Sequence, residues 1–269
     1  EVMTSPGSGV VVEVVPGARL EMLVGAHNRA RHLMTGTVTF APSAWVPCHT
    51  HTFAESLTPL EGRLAVEVEG RRYELDPLSN IVIPRGIPHR PGNALGDRPT
   101  VVHIALANDA PTRGIVENRF EIQPMRDDAT GIPGAERVTR LPTAARSEAG
   151  PGTSFIDYYN ETLLPGIEMS GGYGLFEPGG RLPAHVHDFD ESICIIDGEA
   201  TCIVEGRRRT MSGGATALQP RGRVHYFVNN SGRPMAMLWV YAGPRPERIV
   251  VDERCATVAG DPWRDGAPR

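Results

Sequence analysis

Short apolar runs, separated by glycine, proline, asparagine and aspartate, dominate the hydrophobic pattern of this chain. Residues 10–25 have the pattern of two strands broken at Pro16-Gly17, and residues 64–69 alternate apolar and charged side chains as a strand with one wet face does. Few stretches keep a helical period over more than two turns. Further short strands are predicted at residues 35–40, 73–75, 81–83, 100–106, 154–159, 171–176 and 235–241. The pattern predicts an all-β chain of sandwich or barrel type with little helix.

The strand pattern stops between about residues 107 and 152, where Asp, Pro, Gly, Arg and Thr dominate. A segment of this length is long for a loop inside one compact domain, so it predicts a boundary. We expect an N-terminal domain over residues 1–108, a linker over 109–152 with one short helix near 135–145, and a C-terminal domain over 153–269. The tail beyond residue 243 is predicted to be an irregular arm, in which Trp263 contacts a neighbour.

The two halves of the chain repeat each other at a shift of 136 residues. The repeat covers residues 36–93 without insertion or deletion, and it includes a set of metal-ligating residue types. In the first half these are His49, His51, Glu55 and His89, and in the second half they are His185, His187, Glu191 and His225. The chain is therefore interpreted as a tandem duplication of one β-domain.

Three imidazoles and one carboxylate suit Fe, Mn, Ni, Cu or Zn, whereas Ca and Mg prefer cages of oxygen ligands. His185, His187 and Glu191 share one parity, so on a single strand all three would point to the same face. His225 is expected on a neighbouring strand of the same sheet. Asp188 and Asp190 have the opposite parity to Glu191 and are expected to face away from the metal.

The motifs G-x5-H-x-H-x3-E-x6-G and G-x5-P-x-G-x2-H-x3-N resemble those of the cupin superfamily. The second half matches every position, whereas the first half has Ser43 and Leu78 where the second has Gly179 and Gly214. The resemblance implies a bicupin, with two tandem jelly-roll (double-stranded β-helix) barrels and a metal at the wider mouth of each. It implies up to two divalent transition-metal ions per chain, with Fe2+ or Mn2+ favoured and Ni2+, Cu2+ or Zn2+ as alternatives, and no other cofactor.

Three histidines and one glutamate leave coordination positions open on an ion that prefers six ligands, and open positions are typical of catalytic sites. We therefore expect a metal-dependent enzyme that acts on a small, anionic organic substrate, most simply an Fe(II)-type dioxygenase like the quercetinase-like bicupins. One alternative is O2-independent metal-assisted chemistry: decarboxylation, isomerisation, lyase action or hydrolysis. Oxalate decarboxylases are bicupins of this kind, but their greater chain length argues against a close match. The other alternative is a non-enzymatic protein that binds a metal or a small molecule.

Arg90, His103 and Tyr226 are the candidates for further catalytic residues. Arg90, like Arg85, Arg221 and Arg223, lies near the last histidine of a motif and could hold a carboxylate. His103 falls on the closing strand of the first barrel, where the 136-residue shift places Trp239 in the second. The second copy of the motif is the better preserved, so the C-terminal barrel is the expected seat of catalysis if only one barrel is active.

The chain has 27 basic and 32 acidic side chains, a formal net charge of −5, and no basic stripe. We therefore expect no nucleic-acid partner. No apolar run approaches the roughly 20 residues of a membrane span, and no signal peptide opens the chain, so the cytoplasm is the expected location. Exposed strand edges suggest a homo-oligomer, at least a dimer.

Overall fold

A computed structural model describes residues 2–93, 96–127 and 135–256. Trp263, predicted to anchor the tail, lies outside these residues. Within the described ranges the chain forms strands and no α-helix, which confirms the all-β prediction. The helical turns there are 3-10 turns at Ala26–Asn28, Leu141–Thr143 and Glu253–Ala256. No helix in the described residues is long and apolar enough to span a membrane.

The strands follow the short apolar runs of the sequence. Up to the end of the first repeat they are β1 (Val2–Thr4), β2 (Val10–Val15), β3 (Ala18–Val24), β4 (Met34–Phe40), β5 (His49–Thr50), β6 (Glu55–Glu61), β7 (Leu64–Val68), β8 (Arg71–Leu75), β9 (Asn80–Ile83), β10 (His89–Gly92) and β11 (Thr100–Leu106). The wet face predicted for residues 64–69 is absent from β7, all of whose residues are buried. Glu67 is buried there because Arg90 forms an ion pair with it at 3.0 Å.

The predicted linker contains four strands where none was expected, and its short helix is only a 3-10 turn. These strands are β12 (Gly114–Ile115), β13 (Met125–Arg126), β14 (Arg137–Thr139) and β15 (Ser147–Gly150). Strands β12, β13 and β14 pair with strands of barrel one that lie more than 50 residues earlier, and such pairing leaves no local periodicity in the sequence. Strand β15 pairs with the next strand along the chain. The remaining strands are β16 (Thr153–Tyr159), β17 (Ser170–Phe176), β18 (His185–Val186), β19 (Glu191–Asp197), β20 (Glu199–Val204), β21 (Arg207–Ser212), β22 (Thr216–Gln219), β23 (His225–Val228), β24 (Met235–Tyr241) and β25 (Ile249–Val250).

Each repeat folds into a barrel made of two facing sheets. Barrel one has sheets of order β14-β9-β6-β11-β4-β3-β2 and β12-β5-β10-β7-β8-β13. Barrel two has sheets of order β1-β22-β19-β24-β17-β16-β15 and β21-β20-β23-β18-β25. The two tandem jelly rolls predicted from the repeat are therefore present.

The two barrels exchange one short strand each. Strand β1 precedes barrel one in the sequence but pairs with β22 of barrel two, with Met3 opposite Ala217. Strand β14 precedes barrel two but pairs with β9 of barrel one, with Val138 opposite Ile81. The exchange ties the barrels together at sites that are equivalent in the two repeats.

Apolar side chains fill each barrel and also the contact between the barrels. The contact contains Ala105 of β11 together with Tyr159, Met169 and Leu238 from the second repeat. Because side chains alternate along β11, Val102, Ile104 and Leu106 point into barrel one while Ala105 points to barrel two. This alternation decides which residues can reach each site.

The turn conformation survives at the two positions where the first repeat lacks the glycine of the motif. Ser43 and Leu78 have φ values of 61° and 63°, and the matching Gly179 and Gly214 both have φ of 81°. The N–H of Ser43 donates to the carbonyl of Asn93, as that of Gly179 donates to Asn229. The loss of these glycines therefore leaves the loop shape unchanged and stores strain in the first repeat.

Candidate metal centres

The four predicted ligands of barrel one converge. His49 begins β5, Glu55 begins β6, His89 begins β10, and His51 lies in the turn after β5. The Nε2 atoms of His49, His51 and His89 lie 3.9, 3.5 and 2.6 Å from Oε2 of Glu55. One potential ligand atom from each residue lies within 4.8 Å of all the others, and all four side chains are buried.

Barrel two repeats this arrangement with His185, His187, Glu191 and His225. The Nε2 atoms of His187 and His225 lie 3.3 and 2.7 Å from Oε2 of Glu191. His185 is directly opposite His225 in the pairing of β18 with β23, so the prediction that His225 lies on a neighbouring strand is confirmed. The expectation of a single strand for His185, His187 and Glu191 is wrong, because a turn separates β18 from β19 and the two strands lie in different sheets.

Both aspartates beside the second cluster point away from it, as predicted. The carboxylate of Asp190 accepts hydrogen bonds from the backbone N–H groups of Arg31 and Arg221. Asp188 is exposed. Asp190 therefore joins the two barrels rather than binding a metal.

Each of the six imidazoles is oriented by a different backbone carbonyl. Each Nδ1 lies 2.6 to 2.9 Å from a carbonyl oxygen, and the partners of His49, His51, His89, His185, His187 and His225 are Pro47, Thr112, Ile87, Pro183, Glu247 and Arg223. A carbonyl only accepts hydrogen bonds, so every Nδ1 carries the hydrogen and the Nε2 atom of the neutral ring presents a lone pair. Two of these carbonyls, Thr112 and Glu247, come from segments that follow the repeats.

Burial and mutual charge set the protonation of the clusters. Burial lowers the pKa of His49 to about 4 and that of His185 to about 3. Burial alone would raise the pKa of Glu55, but the neighbouring imidazoles of His89 and His51 hold it well below its usual range. Neutral imidazoles at His49 and His185 and an ionised carboxylate at Glu55 are the protonation states that a metal requires of such ligands.

The donor set fits a divalent transition metal. With the hydrogen of each ring on Nδ1, the Nε2 lone pairs lie as close as 2.6 Å to a carboxylate oxygen. A cation between these atoms would offset the repulsion between the lone pairs and the carboxylate. In barrel two the Nε2 atom of His187 is buried and makes no hydrogen bond. A metal ion at the centre of each cluster would satisfy these atoms, and the mixture of nitrogen and oxygen ligands favours a transition metal over Ca or Mg.

A cavity of about 540 Å³ opens on the cluster of barrel one. It reaches His49, His51 and Glu55. The walls contributed by β3, β4, β6, β10, β11 and the segment before β5 are otherwise apolar: Leu20, Met22, Val38, Phe40, Val46, Leu57, Pro91, Ile104 and Leu106. The charged side chains at its mouth come from β2, from the first 3-10 turn and from the segment after β11.

Aromatic rings of the protein occupy the corresponding region of barrel two. Tyr241 lies with its ring centroid 4.5 Å from that of His187, Trp239 lies 4.9 Å from Tyr241, and Phe155 lies 6.3 Å from Trp239. Burial, and then the negative charge of Glu191, raise the pKa of the Tyr241 phenol well above its usual range. A row of rings thus runs from the barrel core to the second cluster.

Strand register shows which residues of the two barrels are equivalent. Leu106 is paired with Glu55 in barrel one, and Tyr241 is paired with Glu191 in barrel two. In the same way Ile104 is opposite Gly36, and Trp239 is opposite Gly172. The shift between the repeats therefore falls by one residue in the closing strand, and the predicted equivalence of His103 and Trp239 is wrong.

His103 is not a residue of the cavity. It shares the outward face of β11 with Ala105, which packs at the contact between the barrels. His103 is 3% exposed, and burial lowers its pKa to about 4. The structure therefore contradicts a catalytic role for His103 in either cluster.

Arg90 and Tyr226 also point away from the clusters, because each directly follows a cluster histidine on its strand. Arg90 pairs with Glu67 on the outer face and its guanidinium lies 4.5 Å from the ring centre of Trp45. Tyr226 packs with Ile203 and Val224 under the C-terminal arm, and its hydroxyl donates to Glu253 at 3.4 Å. Neither side chain can touch a substrate at the cluster.

Arg85 and Arg223, which also lie near the last histidine of a motif, are directed elsewhere as well. Arg85 forms an ion pair with Glu168 at 3.6 Å, and Arg223 donates to Glu205. Neither belongs to the cavity lining. The expected carboxylate grip beside the last histidine is therefore not formed in barrel one.

Sequence reasoning missed Leu106 and Tyr241, the residues that most distinguish the two sites. The sequence did contain a signal for them. Val102, Ile104 and Leu106 form the inward face of the closing strand in barrel one, and Met237, Trp239 and Tyr241 form it in barrel two. Aligning these apolar faces requires the one-residue change in shift, which the gap-free match of the motifs concealed.

The family model of the cupin domain matches the chain twice, over residues 36–105 and 172–241. The fold is similar to that of the Lactobacillus farciminis oxalate decarboxylase formate complex, with a TM-score of 0.72 and 15% identity over 96% of this chain and 91% of that one. It is also similar to Bacillus subtilis oxalate decarboxylase at pH 4.6, with a TM-score of 0.70 and 16% identity over 96% of this chain and 80% of that one. Coverage this high removes chain length as an argument against the resemblance.

AerE from Microcystis aeruginosa is similar as well, with a TM-score of 0.63 and 13% identity over 87% of this chain and 96% of that one. A Myxococcus xanthus (strain DK1622) protein named endoribonuclease YbeY is 42% identical over 75 residues. These residues are 27% of this chain and 25% of that protein, so the chain spans a quarter of that relative. Both halves of the chain match the domain model, the two barrels have the corresponding fold, and the chain belongs to the cupin family as a bicupin.

Proposed function

We propose that this bicupin is a metal-dependent oxygenase of the dioxygenase type, and that barrel one is its catalytic site. The observation that carries the proposal is the cavity of about 540 Å³ that joins His49, His51 and Glu55 to a largely apolar interior. A cavity of this size, apolar except for a few converging polar groups, is typical of a small-molecule site. The cluster lies at the buried end of the cavity, where a substrate would be shielded from water.

The residues of the cluster are suited to hold Fe2+ or Mn2+. His49, His51 and His89 present Nε2 lone pairs, and the ionised Glu55 offsets part of the ion's charge. When bound, such an ion would supply the one-electron chemistry that allows O2 to react with an organic molecule. The carbonyls of Pro47, Thr112 and Ile87 keep the imidazoles aimed at one point.

The apolar walls favour oxygen chemistry over acid–base chemistry. Apart from the cluster, the cavity walls that come from β3, β4, β6, β10 and β11 contribute no titratable side chain. A hydrolase or decarboxylase needs a group that gives or takes a proton within hydrogen-bond reach of the reacting atom. An oxygenase instead needs a substrate that is held in one orientation and shielded from water. Apolar side chains such as Phe40 and Ile104 exclude water from the cavity and give a substrate a surface to pack against.

For barrel two we propose a structural metal site. The rings of Tyr241, Trp239 and Phe155 fill the region that is open in barrel one. The Tyr241 ring packs against His187, and Tyr241 is paired with Glu191, so the tyrosine occupies the space beside the cluster that a substrate would need. This reverses the expectation that the better-preserved motif is the catalytic one.

The second candidate is O2-independent decarboxylation, because two of the structural neighbours are oxalate decarboxylases. At 15 and 16% identity, that likeness concerns the fold. The inner walls of the cavity are poorly matched to a small dianion, since Arg85 and Arg90 are engaged elsewhere.

The experiment is anaerobic purification, reconstitution with Fe2+ or Mn2+ in separate samples, and measurement of O2 uptake with a panel of organic compounds. The oxygenase proposal predicts substrate-dependent O2 uptake that is lost in the His49→Ala, His51→Ala double variant. The matched His185→Ala, His187→Ala variant should keep most of the activity and lose stability. Turnover in sealed, oxygen-free tubes would replace the first candidate with the second. Loss of activity in the second double variant alone would move the active site to barrel two.

A further inference from the structure

We infer that the substrate of the proposed site is a hydroxylated aromatic compound, with its ring against the apolar walls of barrel one and its hydroxyl group directed at the cluster. This inference rests on the proposed function and names the class of molecule that the cavity accepts. Its basis is a difference between the two barrels, which share the fold and the cluster. Aromatic side chains lie beside the cluster of barrel two, and a cavity opens on the cluster of barrel one.

Barrel two shows how an aromatic ring fits beside such a cluster. The phenol ring of Tyr241 packs 4.5 Å from the His187 ring, and Tyr241 is directly opposite Glu191 in the pairing of β24 with β19. Trp239 continues the row of rings into the barrel. The framework thus accommodates two adjoining aromatic groups, of which the one nearest the cluster carries a hydroxyl.

The same positions in barrel one carry smaller, aliphatic side chains. Leu106 stands in the place of Tyr241, and Ile104 in the place of Trp239, as the pairing of the closing strands shows. Leu20 takes the place of Phe155, because Leu20 is paired with Val38 and Phe155 with the equivalent Gly174. All three aliphatic residues line the cavity. The cavity of barrel one therefore lies where aromatic rings lie in barrel two.

The imidazole that would face the ligand is covered on one face by a phenylalanine in both barrels. Phe53 stacks on His51 with centroids 4.9 Å apart, and Phe189 stacks on His187 at 5.2 Å. One face of each imidazole is thus covered by a phenylalanine. In barrel two Tyr241 packs on the same imidazole and on Phe189, whereas in barrel one the equivalent Leu106 leaves room for an external ring.

The charges around the cavity oppose a small dianion such as oxalate. Arg113 is the single guanidinium among the lining residues, it lies at the exposed mouth, and it donates to the backbone carbonyl of Val14 at 2.9 Å. Glu13 and Asp109 share that mouth and add negative charge. A second carboxylate would have to be buried against Leu57 or Ile104 without a partner, and an unpaired buried charge is costly.

The test is a fluorescence titration of the full-length, manganese-loaded protein with 2-naphthol, with naphthalene and oxalate as comparison ligands. The inference predicts saturable binding of 2-naphthol at one site per chain, weaker binding of naphthalene, and no competition by oxalate at equal concentration. Leu106→Tyr, which introduces the residue of barrel two, should weaken 2-naphthol binding by at least about tenfold. Ile104→Trp is a second blocking variant in case the first does not fold, and an unchanged manganese content shows that the cluster is intact.

Oxalate binding that excludes 2-naphthol, or 2-naphthol binding that neither blocking variant affects, would overturn the inference. Binding is read without turnover, so the two proposals can fail separately. If 2-naphthol binds barrel one but no hydroxylated aromatic compound supports O2 uptake, the oxygenase assignment fails. If O2 uptake occurs with aliphatic substrates and 2-naphthol does not bind, the oxygenase assignment stands and the aromatic class is wrong.

Discussion

At the scale of single residues, the spacing of the histidines and glutamates was sufficient to identify both clusters, because each residue type and each offset occurs twice. The same reasoning failed for Arg90 and Tyr226, although the sequence contained the means to reject them. Each directly follows a cluster histidine, and adjacent residues of a strand point to opposite faces. The carbonyls of Thr112 and Glu247 could not be predicted, since they lie about 60 residues from the imidazoles they orient.

His103 provides a prediction about pH. Its pKa is about 4 in the folded protein against 6.5 for an ordinary histidine, because burial opposes the charged form. The unfolded chain therefore takes up a proton on acidification that the folded chain refuses, and stability falls as pH drops from 6.5 towards 4. Over that window wild type should lose about 3 kcal/mol relative to His103→Gln, as measured by urea unfolding at each pH. Parallel pH profiles for the two proteins would contradict this account of His103.

Ser43 and Gly179 form a matched pair for a second prediction. Both occupy a left-handed turn, and a Cβ at Gly179 would meet nothing within 4 Å, so the difference between them is conformational. Ser43→Gly should raise the free energy of unfolding by about 0.5–1 kcal/mol, because relief of the strain exceeds the entropy that glycine adds to the unfolded chain. Gly179→Ser should lower it by a similar amount, and chemical denaturation measures both. If both substitutions changed the free energy of unfolding in the same direction, side-chain contacts rather than backbone conformation would control it.

At the scale of strands, short apolar runs predicted the barrel strands closely, and β11 and β24 have the predicted bounds. The strands of the linker were missed because strands of two to four residues have no measurable period. The exchange of β1 and β14 escaped for a different reason: these strands are defined by partners in the other repeat. The one-residue change of register in the closing strand was detectable only from which residues face inward.

The exchanged strand β1 can be removed. Deleting residues 2–5 would eliminate its pairing with β22 and the hydrogen bond from Thr4 to the carbonyl of Leu23. We expect a loss of about 2 kcal/mol, since the side chains of β1 are only partly buried. Hydrogen exchange should accelerate at β22 in barrel two more than at any strand of barrel one. Faster exchange confined to barrel one would contradict the strand exchange.

At the scale of the whole molecule, the duplication predicted two barrels and two clusters but not their different interiors. Motif preservation ranked barrel two first, whereas the cavity that reaches His49, His51 and Glu55 lies in barrel one. The motifs record ligands and turns, and the interior depends on residues outside them, such as Leu106 and Tyr241. The surroundings of a site therefore had to be taken from the structure.

Metal content tests whether both clusters bind. The wild-type chain should hold two divalent ions, and each double variant, His49→Ala with His51→Ala or His185→Ala with His187→Ala, should hold one. Elemental analysis after dialysis gives these ratios. The His185→Ala, His187→Ala variant should also be the less stable of the two, because Tyr241 and Trp239 pack around the cluster that it loses. An unchanged ratio in either double variant would contradict the assignment of that cluster.

The central claim is that the cluster of barrel one is accessible to a small molecule and that of barrel two is closed by Tyr241. It is tested most directly by the EPR spectrum of the Fe2+ protein after addition of nitric oxide. Protein with iron only in barrel one, made with His185→Ala and His187→Ala, should give the high-spin iron–nitrosyl signal. Protein with iron only in barrel two should give little signal until Tyr241→Leu opens that site. Equal signals from the two single-site proteins, or a signal from barrel two alone, would contradict the account.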